Sequence, residues 1–376
     1  MKLKQFIQQE TVLTAATVLA VVSAFFVPPD AQYLGYIDLR TLAILFSLMT
    51  VMAGLRRQDF FDGLGRALLS RTHSTFQLTL VLVGLCFFGS MFITNDVSLL
   101  TFVPFTFVVL SRLRADVRCS LLIPVVCMQT IAANLGSMLT PIGNPQNLYL
   151  YGKSGMSIGG FVLLMLPYTL VSLLLLLAWA TLVCRKASAA LSVDELVSSS
   201  ASQGDQKIIL LYLVLFAVCL LSVIRVLPYG IAFAAVLVCA LFADPRTLRT
   251  VDYSLLLTFV AFFIFIGNLG RIPAFSGWLQ EFLTGREVLV AVLASQVTSN
   301  VPAALLLSGF TAETQALIIG TNLGGLGTLI ASMASLISYR QIARELPQGK
   351  KQYFGLFTLS NLIFLALLLG VWFLLR

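Results

Sequence analysis

The chain has 376 residues, of which 59% are hydrophobic and only 11% charged, with a net charge of +8 and a mean hydropathy of +0.96. Soluble domains carry roughly 25% charged residues, so this composition excludes a water-exposed globule and predicts a polytopic, all-α protein of the lipid bilayer. The basic excess then reads as loops held on the cytoplasmic side and not as affinity for nucleic acid.

In chain order, Met1 to Glu10 carries two lysines and leads into an apolar run from Thr11 to Val27. No small-residue cleavage pattern follows, and Pro28-Pro29 reads as a turn, so this is a first spanning helix and not a signal peptide. Windows of about 20 apolar residues predict spans at 11–27, 38–55, 119–140, 157–184, 208–226, 229–243, 253–270, 314–337 and 353–375, about nine in all. Residues 75–110 and 287–310 each hold two shorter apolar arms around a polar tip, and they predict two re-entrant hairpins. Irregular backbone at membrane depth is tolerated only beside protein or a water-filled cavity. Asp59 to Ser70 and Pro273 to Leu283 alternate polar and apolar residues at helical spacing and predict helices lying along the interface. Asp38 and Asp252 precede apolar runs and read as helix caps.

Lysine and arginine placement sets the orientation. With the N-terminus inside, 18 of the 24 basic residues fall on the cytoplasmic side. The external side keeps Arg40, Lys153, Arg225, Arg271, Arg286 and Arg376, and the C-terminus lies outside.

The chain repeats itself. At a constant offset of 214, Asp38 matches Asp252, Arg57 matches Arg271, Phe61 matches Phe275 and Gly63 matches Gly277. At an offset of 204 the tip Thr94-Asn95-Asp96-Val97 matches Thr298-Ser299-Asn300-Val301, and at 188 Asn134-Leu135-Gly136 matches Asn322-Leu323-Gly324 and Thr140 matches Thr328. Three segments follow: an N-terminal half at 1–184, a Ser/Gly-containing cytoplasmic linker at 185–207, and a C-terminal half at 208–376. The extra helix 208–226 inverts the second half relative to the first, an arrangement found in secondary transporters.

Candidate chemistry concentrates at the tips and at two helix breaks. Leu139-Thr140-Pro141-Ile142-Gly143-Asn144-Pro145-Gln146-Asn147 holds too many prolines and glycines for an unbroken helix. Gly320-Thr321-Asn322-Leu323-Gly324-Gly325-Leu326-Gly327-Thr328 breaks through glycines. Two interrupted helices at corresponding positions point to a transport site. Opened carbonyls there can ligate a cation, and half-helix N-termini can take an anion. An ionisable group at bilayer depth is a functional candidate by default, and Asp96 is that group. Asn134 and Asn322 have a packing alternative, as do Gly324, Gly325 and Gly327; Gln129 and Gln296 fit packing hydrogen bonds. No Arg or Lys falls in either break. The six cysteines (Cys86, Cys119, Cys127, Cys184, Cys219 and Cys239) have no CxxC spacing, His73 is the lone histidine, and no phosphate-binding glycine loop occurs. No cofactor is expected beyond a possible Na⁺, and no enzyme activity.

The stretches Thr94-Asn95-Asp96-Val97, Leu139 to Asn147 and Ser295-Gln296-Val297-Thr298-Ser299-Asn300-Val301-Pro302 resemble the ion transporter superfamily. That group includes arsenite efflux permeases, NhaD-type sodium/proton antiporters, citrate transporters and divalent anion/sodium symporters. Within it the chain is most similar to the YbiR-like bacterial inner-membrane proteins. The resemblance implies two opposed hairpins, a scaffold domain, a moving transport domain, a homodimer and elevator-type alternating access. The symporters' Ser-Asn-Thr signature is altered here to Thr94-Asn95-Asp96 and Ser299-Asn300-Val301, and the carboxylate brings the first tip nearer the arsenite and NhaD-type branches. The expected function is secondary active transport of a small anion or oxyacid coupled to Na⁺ or H⁺. A Na⁺/H⁺ antiporter or arsenite-type permease is the alternative, and a channel or non-transporting membrane protein the remaining one. Substrate would meet Thr94, Asn95, Asn144, Asn147, Ser299, Asn300, Thr321, Asn322 and Thr328. Ion coupling would involve Asp96, Asn95, Asn134, Gly136, Ser299, Asn300, Asn322 and Gly324.

Overall fold

The computed structural model describes residues 10–69, 72–186 and 204–376, and among them every regular element is a helix. The first half runs α1 (Thr11–Phe26), α2 (Gln32–Tyr36), α3 (Leu39–Arg57), α4 (Phe60–Leu69), α5 (Thr75–Ile93), α6 (Asn95–Ser111), α7 (Ala115–Ser137), α8 (Pro145–Ser154) and α9 (Ile158–Lys186). The second runs α10 (Gln206–Val223), α11 (Tyr229–Ala243), α12 (Tyr253–Gly270), α13 (Pro273–Leu283), α14 (Glu287–Thr298), α15 (Asn300–Leu307), α16 (Thr314–Leu323), α17 (Met333–Glu345) and α18 (Lys350–Leu375). Seven of these, α3, α5, α7, α9, α10, α12 and α18, are long and apolar enough to cross a membrane. The all-α polytopic architecture read from the sequence is therefore the observed one. Most of the linker, residues 187–203, lies outside the described residues, as do Met1 to Gln9, Ser70 and Arg71.

Local chemistry sets the helix starts. The Asp38 carboxylate accepts the Thr41 N–H at 3.0 Å and caps α3; Asp252 accepts the Leu255 N–H at 3.0 Å and caps α12. The two aspartates paired by the repeat thus do the same job. Ser74 caps α5 through the Gln77 N–H at 3.2 Å, while the Gln77 side chain accepts the His73 N–H at 2.8 Å, a variant of the reciprocal capping box. The predicted interfacial stretches are α4 and α13. On α4, Phe61, Gly65 and Leu69 are buried at every fourth position, which is one face of a helix.

The helices form two groups. In the outer group the halves exchange partners: α1 lies along α12, while α10 and α11 lie along α3. Two ion pairs fasten the exchange, Arg57 to Asp244 at 2.8 Å and Arg271 to Asp30 at 2.8 Å. Asp30 and Asp244 stand at the same spacing in the chain as Arg57 and Arg271, so the pairs are related by the repeat. Helices also approach closely here. A Cβ on Gly54 would lie 2.2 Å from the Tyr212 ring, and one on Gly267 would lie 2.3 Å from the Tyr36 ring.

The central group carries the tips. Helices α5 and α6 fold back antiparallel, with the Ser98 hydroxyl donating to the Cys86 carbonyl at 3.3 Å. The first arm, α5, has 19 residues, longer than the short arm expected from sequence. The hairpin packs along α7, and the shorter α14–α15 hairpin packs along α16. Helix α7 stops at Ser137 and restarts as α8 at Pro145. The predicted span 314–337 is likewise two helices, α16 and α17, separated by Gly324 to Ser332. Helices α9 and α18 flank the group and meet each other through Trp179 and Phe364, ring centroids 6.1 Å apart.

Candidate functional site

Both hairpins turn on a single residue in an unusual conformation. Thr94 has φ 69° and ψ 154°, and Ser299 has φ 76° and ψ 155°. This region is essentially reserved for glycine and costs on the order of 1–3 kcal/mol per residue; a β-branched threonine there is a stronger outlier still. The strained residue aims the next N–H across to the neighbouring helix break. Asn95 donates its N–H to the Gly143 carbonyl at 3.2 Å, and Asn300 donates its own to Ala331 at 3.0 Å.

These contacts correct the register of the repeat at the tips. The equivalent pairs are Thr94 with Ser299, Asn95 with Asn300 and Asp96 with Val301, one position displaced from the offset of 204 read in the sequence. The identical Val97 and Val301 favour the wrong alignment, because φ is not visible in a list of residue types. Both tips therefore carry an asparagine in the same place. The carboxylate of the first tip is matched by valine in the second.

Two side-chain clusters tie the breaks together across the halves. In one, Asn95 Nδ2 and Ser332 Oγ donate to Asn134 Oδ1 at 3.1 and 2.9 Å. In the other, Asn144 Nδ2 donates to Asn322 Oδ1 at 3.1 Å, and Asn322 Nδ2 donates to Asn147 Oδ1 at 2.6 Å. Asn144 and Ser332 are the residues immediately before α8 and α17. Each half thus sends the residue that starts its second half-helix to the buried asparagine of the other half. Asn134 Nδ2 and Asn144 Oδ1 remain buried with no hydrogen-bond partner, so each cluster keeps one open polar valence.

The remaining predicted residues divide. Gly136 is a close-packing glycine: its Cβ would lie 1.9 Å from the Phe87 carbonyl oxygen, and its own carbonyl accepts the Leu139 N–H at 3.2 Å. Gly324 is held similarly, since a Cβ would lie 2.6 Å from Ser295 Oγ and its carbonyl accepts Gln296 Nε2 at 3.0 Å. The carbonyls that face the tips are those of Gly143 and Ala331 instead. The Thr321 hydroxyl turns back to Leu317 in its own helix at 2.7 Å. Thr328 is exposed and donates through its hydroxyl to the Gln296 carbonyl at 3.1 Å, while its counterpart Thr140 donates to Met91. Gln296 organises the second break, because its amide also donates to Leu326 at 2.9 Å and its oxygen accepts the Thr328 N–H at 2.9 Å. Sequence reasoning gave this residue no weight beyond packing.

Asp96 is the second residue of α6, where the N-terminal N–H groups favour negative charge. Its Oδ1 is shut off from solvent and has no hydrogen-bond partner. It faces a cavity of about 500 Å³ lined by Thr94, Asn144, Arg56, Arg57 and Asp252 among apolar residues of α3. The absence of arginine from the breaks therefore does not carry over to the folded site, since the end of α3 brings two guanidinium groups to its wall. Arg57 is already paired with Asp244, and the exposed Arg56 donates to the Leu100 carbonyl at 3.4 Å. The second tip faces a cavity of about 130 Å³ that holds Ser299, Val301, Glu10, Asp252 and Arg340. No group of three or more metal-ligating side chains occurs among the described residues.

The citrate transporter family profile matches residues 7–316. The inner membrane protein YbiR of Escherichia coli K12 is 34% identical over 329 residues, covering 84% of each chain. An uncharacterized transporter of Methanocaldococcus jannaschii is 31% identical over 304 residues, covering 81% of each. The silicon efflux transporter LSI3 of Oryza sativa subsp. japonica is 31% identical over 137 residues, covering 36% of this chain and 27% of the rice protein.

Proposed function

The chain belongs to the citrate transporter family, and from that premise we propose that it is a secondary active transporter of a small anion or oxyacid, coupled to Na⁺ or H⁺. The observation that carries the coupling is Asp96: a carboxylate at a strained hairpin tip that lines a cavity and has one oxygen buried and unpartnered. A buried carboxylate without a counter-ion stays charged only if it gains a cation, and otherwise takes a proton. Asn95 Oδ1, which accepts the Asp96 N–H at 2.9 Å, and the Gly143 carbonyl, which accepts the Asn95 N–H at 3.2 Å, are the nearby oxygens that would join it around Na⁺. The two asparagine clusters, with their open valences at Asn134 and Asn144, supply the polar wall for cargo; Asn144 lines the larger cavity and Ser299 of the second tip lines the smaller one.

The central group then moves as a unit against the outer group, with α4 and α13 as the connecting arms, which is elevator-type alternating access. The protein sits in a bacterial inner membrane as a homodimer, N-terminus cytoplasmic and C-terminus external. The family name points to a carboxylate cargo and the rice relative to silicon efflux, so the cargo class spans carboxylates and inorganic oxyacids. The second reading is a Na⁺/H⁺ antiporter or arsenite-type efflux permease, and the observation favouring it is that two carboxylates, Asp96 and Asp252, line one cavity.

Uptake into proteoliposomes under a Na⁺ gradient, and separately under a pH gradient, tests the proposal against a panel of carboxylates and oxyanions. One anion should accumulate under one gradient. Exchange of Na⁺ for H⁺ with no anion movement replaces the first reading by the second.

A further inference from the structure

The capping aspartates Asp38 and Asp252 have the same local role but different surroundings. Asp38 is bound by the Thr41 N–H and hydroxyl and lines neither tip cavity. Asp252 lines both, so it stands on the wall between the two tips. It belongs to the outer group through α12, whereas Asp96 belongs to the central group. Asp96 and Asp252 line the larger cavity together. The cations on the same wall offset their charge little, because Arg57 is paired with Asp244 and Arg56 is exposed. On its other side Asp252 meets Glu10, which accepts the Ser254 hydroxyl, and the smaller cavity adds Arg340. Burial also pushes the Asp252 carboxyl above the usual carboxylate range, with the Leu255 N–H opposing.

We propose that Asp252 is an outer-group carboxylate that raises the coupling-cation affinity of Asp96 across the cavity they share. The inference rests on Asp96 being the coupling group. Its physical basis is the like-charge repulsion of two carboxylates across one cavity, which is relieved when a monovalent cation, Na⁺ or H⁺, joins Asp96.

The cap makes a clean test possible. Asparagine and serine cap helices about as well as aspartate, so Asp252→Asn and Asp252→Ser keep the Leu255 contact and lose only the charge. Half-saturation for the coupling ion is measured in right-side-out and inside-out vesicles, with Asp38→Asn as the control. Both neutral caps should raise half-saturation on the order of ten-fold, the size expected for two unit charges that share one cavity, and Asp38→Asn should change it less than about two-fold. No change with the neutral caps, or an equal change with Asp38→Asn, overturns the inference. Asp96→Asn is assayed in parallel: if it retains coupling, the coupling assignment itself fails, whereas lost coupling with an unchanged half-saturation in Asp252→Asn removes only the role of Asp252.

Discussion

At the first tip a strained threonine is followed by an asparagine and a carboxylate, and a cavity of about 500 Å³ opens beside it. At the second, a strained serine is followed by an asparagine and a valine, and the cavity is about 130 Å³. The backbone is nearly the same: φ is 69° at Thr94 and 76° at Ser299, ψ is 154° and 155°, and both following amides reach the opposite break. The duplicated fold thus fixes where the tips are, while the side chain two positions on decides what each can bind. The breaks diverge similarly. The first is held open by prolines and by the Thr140–Met91 contact. The second is glycine-rich, and Gln296 replaces that rigidity with three side-chain contacts to backbone groups of the break.

Substitutions at paired positions can break or sharpen this comparison. The largest effect is expected from Asp96→Asn, which should abolish gradient-driven uptake in proteoliposomes while leaving detergent melting close to wild type. Val301→Asp should not restore it, because the smaller cavity already presents Glu10 and Asp252. Gly136→Ala should come next. Its added methyl meets the Phe87 backbone, which cannot move aside, and destabilisation should exceed about 3 kcal/mol, the upper end for overpacking. Gly324→Ala meets the Ser295 side chain at 2.6 Å and the Gly320 carbonyl oxygen at 2.8 Å, a looser fit than at Gly136, and should cost about 1–3 kcal/mol. Thermal melting in one detergent ranks the two. Gln296→Leu leaves three backbone groups of the second break without a partner and should cost on the order of 1–3 kcal/mol. Met91→Leu at the equivalent place should cost less than about 1.5 kcal/mol, since Met91 uses only its backbone. The smallest expected effects are stabilising: Thr94→Gly and Ser299→Gly relieve the positive φ, by roughly 1 kcal/mol each, with threonine gaining more than serine. Equal melting gains at both tips would argue that β-branching adds no strain there.

Hydropathy and punctuation made much of the fold legible. Apolar windows located the long helices except α5, which read as a short arm; the prolines of 141–145 and glycines of 324–327 marked the breaks, and both capping aspartates were readable from position. What stayed hidden depends on conformation or on contact between distant segments. The tip register slipped by one position because a shared valine outweighed a φ angle that residue types do not encode. Arg57 and Arg271 were matched by the repeat, yet Asp30 and Asp244 were not recognised at the same spacing, because an ion pair across the halves follows no local period. Arg56, Arg57 and Asp252 reach the cavity from segments far from either break. Gln296 resembled any polar residue in an apolar helix until its partners were known.

The exchanged opening helices have a consequence for how the polypeptide is made. Helix α3 emerges from the ribosome well before α10 and α11, the helices it pairs with, and α1 precedes α12 by a still longer interval. Until then each is an early arrival whose partner has not been synthesised, and its ionic side chain, Arg57 or Asp30, has no counterpart in the bilayer. Neither clasp can therefore close until the second half is made. The first half must wait in the membrane for the second, and assembly is completed by the late segment closing both clasps, so that the order of synthesis and the order of consolidation run in opposite directions.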